Sequence, residues 1–154
     1  MYHPQDGMEY CQLPCAAAAQ ELQEQNRLHL TSRYSGFWWE KSQALPWKRL
    51  AQNGRLLWLD TPETIRLSPG KTYQLSITLT GFSAGTAAAV FLQLAVPDGA
   101  MDIPLFTLRP KGAAVFHRTL PLYTQMPADL SLRVSGPFGI CLLGASLEGT
   151  AFPV

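Results

Sequence analysis

This chain is short of charge: only 15% of its 154 residues are Asp, Glu, Lys or Arg, against 47% hydrophobic, and the formal net charge is +1. No basic cluster is denser than the pair Lys48-Arg49, so the sequence offers no electrostatic footprint for nucleic acid or an anionic membrane surface. Apolar runs fall far short of the about 20 residues of a membrane-spanning helix. The opening MYHPQDGMEY has neither a basic start nor an apolar segment, and it predicts a protein made in the cytoplasm without a secretion signal. Cysteine is scarce and odd in number, at three, which suits a reducing compartment. Cys141, in an apolar run, reads as a buried thiol. Cys11 and Cys15 form a lone C-x3-C with just His3 and His29 nearby, without the paired spacing of a structural zinc site. No metal and no cofactor is therefore predicted.

Catalytic signatures are missing as well. Asp60, Glu63, Asp98, Asp102 and Asp129 are scattered through turns and strand ends, whereas general acid–base work needs two such groups in one pocket. His117 lies between Phe116 and Arg118 on a predicted strand, with no nucleophile elbow or catalytic-cysteine signature around it. No glycine-rich phosphate loop joins a strand to a helix. The sequence nominates no catalytic residue and predicts a protein that is not an enzyme.

What is present is β-sheet patterning. In residues 67–82, LSPGKTYQLSITLTGF, a Ser-Pro-Gly turn feeds a strand in which Tyr73, Leu75, Ile77 and Leu79 alternate with Gln74, Ser76 and Thr78; such alternation marks a half-buried strand. Phe37-Trp38-Trp39 begins another strand. Residues 47–52 and 55–60 read as a hairpin around Asn53-Gly54, the dipeptide favoured by a type I′ turn. Residues 87–96 and 140–147 are apolar on both faces, as befits strands in a sandwich centre or at a subunit interface. With further short segments and 12 Gly and 12 Pro between them, eight to ten strands predict an all-β, antiparallel jelly-roll sandwich. Upstream, residues 1–14 read as an extended arm and residues 15–30 as a short helix of Ala, Gln, Glu, Leu and Arg. The predicted division is 1–34, arm and helix, and 35–154, the jelly-roll domain.

Three motifs stand out: Gly70-Lys71-Thr72-Tyr73 at the entry to a long strand, Ala128-Asp129-Leu130-Ser131-Leu132 in the penultimate strand, and Gly144-Ala145-Ser146-Leu147 in the last. With the order of the elements, they resemble the tumour-necrosis-factor-like jelly roll, and within it the bacterial branch found as the head of collagen-like exosporium and spore surface glycoproteins. These motifs are turn-and-core patterns over about the last two thirds of the chain. Gly-X-Y repeats are absent, hence any collagen stalk. The resemblance implies a homotrimer packed around a threefold axis, hence a self-assembling structural protein deposited on a spore surface or in a surface fibre. Its trimer interface is expected at Val90, Leu92, Leu94, Ile140 and Leu142. The arm is expected to reach a neighbouring trimer, with Cys11 or Cys15 able to form an inter-subunit crosslink.

Four tryptophans, Trp38, Trp39, Trp47 and Trp58, crowd into about twenty positions and support a rival reading, a carbohydrate-binding β-sandwich. Adjacent Trp38 and Trp39 must point to opposite faces of a strand, and they are the expected sugar platform.

Overall fold

A computed structural model describes residues 26–152 except 42, 111 and 137. Among the described residues, eleven antiparallel strands form two sheets. The first has the order β3 (Trp47–Asn53), β1 (Arg27–Ser32), β11 (Ile140–Phe152), β6 (Lys71–Ser83), β9 (Ala114–Thr124), with β2 (Phe37–Trp39) also on β11. The second runs β4 (Leu57–Thr61), β5 (Thr64–Leu67), β10 (Ala128–Ser135), β7 (Ala88–Val96), β8 (Gly99–Leu108). Sequential strands thus switch repeatedly between sheets, the jelly-roll connectivity.

Strand alternation builds the core. Tyr73, Leu75, Ile77 and Leu79 of β6 and Leu130, Leu132 and Val134 of β10 share the core of the sandwich, all at most 1% exposed. The entry to β6 depends on Gly70, whose φ of +78° disfavours any side chain and whose N–H donates to the Thr124 carbonyl at 2.8 Å. On the side where β8 and β9 form the sheet edges, Phe106 and Phe116 stack at 5.5 Å and Arg118 donates to the Pro104 carbonyl, so this edge is stitched across both layers.

Several expectations are corrected. Residues 27–30 are strand: Leu28 and Leu30 are buried while Arg27 and His29 face outward, a period of two that a helix cannot satisfy. The remainder of the expected helix, the arm of residues 1–14, and Cys11 and Cys15 lie outside the described residues. β1 sits between β3 and β11, so the first sheet includes Arg27–Ser32, upstream of the expected boundary at residue 35. Asn53-Gly54 does not close a hairpin, since β3 joins the first sheet and β4 the second. Gly54 takes φ +77°, but among the described residues no non-glycine has positive φ, so the type I′ geometry is absent and the chain crosses between layers. Cys141 is a free, half-buried thiol on the outward side of β11, not a core residue.

Candidate functional site

The two sheets present contrasting outer faces. On the second, Arg66 of β5 pairs with Asp129 of β10 at 3.1 Å, and within β10 the Arg133 guanidinium donates to the Ser131 hydroxyl at 3.0 Å. On the first, Thr72, Gln74, Ser76, Thr78 and Thr80 of β6 point outward, registered against Tyr123, Pro121, Thr119, His117 and Val115 of β9, and Phe82 follows beside Cys141 of β11. Across β11, β6 and β9 the described outward side chains include one carboxylate, Glu148, and no Lys or Arg. Glu148 lies 3.5 Å from His29 Nε2 of β1. This face is short-chained, rich in hydroxyls and almost uncharged. At its margin Val115 is 70% and Tyr123 51% exposed.

A compact polar group lies within it. Thr78 Oγ1 is 2.8 Å from His117 Nδ1, while His117 Nε2 is 3.4 Å from both Ser76 Oγ and Thr119 Oγ1, which are themselves 3.1 Å apart. The group joins β6 to β9 on an open sheet. It brings a serine near an imidazole without an acid beside the ring to orient it, and so lacks the third member of a nucleophilic triad. Among the described residues no group of three or more His, Cys, Asp or Glu could hold a metal ion.

The expected interface residues Val90, Leu92, Leu94, Ile140 and Leu142 are at most 5% exposed and lie in the core between the sheets. Their side chains are covered inside one subunit, so a partner would meet their outward neighbours instead. The tryptophans separate. Trp39 is fully buried, its indole N–H donating to the Gln43 carbonyl at 2.8 Å, and Trp47 is 2% exposed. Trp38 is 43% exposed, and Trp58 lines a different cleft with Asp60, Arg66 and Ser68. A two-tryptophan platform therefore does not form. Trp38 instead shares a cleft of about 390 Å³ with Tyr34, Phe37, Gln43, Ala44, Pro46 and Glu63. These come from three separate segments, and no motif in the sequence links them.

No protein-family model matches the chain, and no curated protein matches it in sequence. Solved structures do match in shape. The crystal structure of murine APRIL at pH 8.0 aligns with TM-score 0.63 and 13% identity over 82% of this chain and 98% of that one. The fold is a tumour-necrosis-factor-like jelly roll. The Eiger TNF structure from S. frugiperda aligns with TM-score 0.63 and 9% identity, covering 83% of this chain and 92% of its own. The globular domain of zebrafish complement 1qA protein aligns with TM-score 0.62 and 8% identity, covering 80% and 94%. At such identities the likeness concerns the fold alone.

Proposed function

We propose that this chain is a non-enzymatic structural protein that assembles as a homotrimer through the outer face of its first sheet, within a bacterial spore surface layer or surface fibre. The observation that carries the reading is the near absence of charge across β11, β6 and β9, set against the Arg66–Asp129 pair and Arg133 on the second sheet. A face of Thr, Ser and small apolar side chains loses little solvation on burial. A subunit with so few charges overall gains from hiding one side. The exposed Val115 and Tyr123 of edge strand β9 supply the apolar contacts that such a face can receive. The threefold arrangement and the spore setting follow from the resemblance to the heads of collagen-like surface glycoproteins. Sedimentation analysis of the full chain beside a Thr78→Arg variant tests the reading: the parent sediments as a trimer and the variant as a folded monomer. A folded monomeric parent refutes it.

A further inference from the structure

The cleft around Trp38 lies on the side of the sandwich away from β8 and β9, and it has features that an incidental surface hollow lacks. Its backbone walls are pinned to the sandwich. Arg33 N–H donates to the Pro46 carbonyl at 2.9 Å, Leu45 N–H to the Leu132 carbonyl at 2.8 Å, and Trp47 N–H to the Pro62 carbonyl at 2.7 Å. The Trp39 indole fastens the turn at Gln43 from below at 2.8 Å. Tyr34 stands edge-on to Phe37 with ring centroids 6.1 Å apart, and the Arg33 guanidinium lies 5.9 Å from the Tyr34 ring. Two rings that keep large exposed surfaces, Tyr34 at 54% and Trp38 at 43%, are thus held by a rigid frame, so little ordering remains to be done on binding.

The polar complement is specific too. Glu40 N–H donates to Gln43 Oε1 at 3.3 Å, which leaves the Gln43 amide NH₂ as a donor on the cleft, while the exposed Glu63 carboxylate is an acceptor. Amphipathic rings beside one donor and one acceptor suit a ligand with an apolar face and a rim of hydroxyls. We propose that this cleft binds a pyranose unit of a neutral oligosaccharide. The sugar's C–H face lies on Trp38 or Tyr34, its hydroxyls donate to Glu63, and one hydroxyl accepts from Gln43. The carboxylate disfavours uronic acids and other anionic sugars at the same place. Trp38 is registered with the outward Cys141 of β11, beside the face proposed for assembly, so binding is read together with the sedimenting mass.

The test uses the full-length protein with ¹⁵N-labelled tryptophan. The Trp38 and Trp58 indole resonances are followed while cellohexaose, mannohexaose and chitohexaose are titrated in turn, with sedimentation run on the same samples. The proposal expects at least one of the three to move the Trp38 resonance saturably, with Trp58 unmoved and the sedimenting mass constant. By calorimetry, Trp38→Ala then abolishes binding, Glu63→Gln weakens it about tenfold, and Trp38→Tyr, which keeps a ring, retains it. Should Trp38→Ala misfold, the Trp38→Tyr and Glu63→Gln pair carries the comparison. The proposal is overturned if none of the saccharides moves Trp38, if it moves only when the mass changes, or if a proline-rich decapeptide moves it while the saccharides do not.

Discussion

The hydroxyl of Tyr73 donates to the carbonyl oxygen of Ser68 at 2.6 Å. Its ring is fully buried at the start of β6, and the same oxygen lies 3.0 Å from the Leu56 carbonyl. One phenol thereby ties the Ser-Pro-Gly turn and the approach to β4 onto the first sheet. Burial pushes its pKa up to about 12 from an ordinary value of about 10.

The raised pKa gives a stability term with a defined window. Below pH 10 the phenol is protonated in both folded and unfolded chains and the term is fully present. Between pH 10 and 12 the unfolded chain releases the proton while the folded chain keeps it, so stability falls as pH rises. Tyr73→Phe is expected to cost about 1 kcal/mol at neutral pH through the lost hydrogen bond. Over that alkaline window the parent should lose roughly 2–3 kcal/mol more than the variant. Urea denaturation midpoints of both proteins from pH 8 to pH 12 check this.

Two glycines allow close approaches of unequal hardness. A Cβ on Gly81 would sit 2.6 Å from the Cys141 carbonyl oxygen, a backbone atom of the paired strand β11. A Cβ on Gly149 would meet Leu57 Cδ1 at 2.6 Å and Leu75 Cδ2 at 3.1 Å, both tips of side chains that can turn aside. Gly81→Ala is therefore expected to destabilise by about 3 kcal/mol and Gly149→Ala by about 1 kcal/mol. Thermal unfolding of the two variants gives the order directly.

Core and outer face should answer differently to a charge. Leu142, fully buried between the sheets, cannot carry a carboxylate without a cost of several kcal/mol, roughly, so Leu142→Asp is expected to unfold the subunit. Thr78, outward on β6, has room for an arginine in a lone subunit. Thr78→Arg should keep the circular dichroism spectrum of the parent while losing the assembly.

The sequence made some of this visible and hid the rest for identifiable reasons. The β6 alternation and the Pro69-Gly70 entry were legible because both are local. β1 was hidden because good helix formers precede it, and the two-residue alternation of Leu28 and Leu30 is too short to stand out. The Asn53-Gly54 signal describes a turn but not which sheet each flanking strand joins, a choice made by tertiary pairing. Residues 140–147 looked apolar on both faces because a register shift between Leu142 and Gly144 breaks the alternation at Leu143, returning Ala145 and Leu147 to the core side. That break made the core residues Ile140 and Leu142 read as interface residues. The cleft around Trp38 was illegible except for Trp38 and the adjacent Phe37, since its other walls come from positions 34, 43, 44, 46 and 63.

The account rests most on the claim that the nearly uncharged outer surface of β11, β6 and β9 is covered by copies of the same chain. Native mass measurement of the full-length protein at micromolar concentration tests it directly. The predicted result is one species at three times the 17.0 kDa of the chain, converted to a folded single chain by Thr78→Arg. A parent protein that stays folded at 17.0 kDa across the concentration range would contradict it.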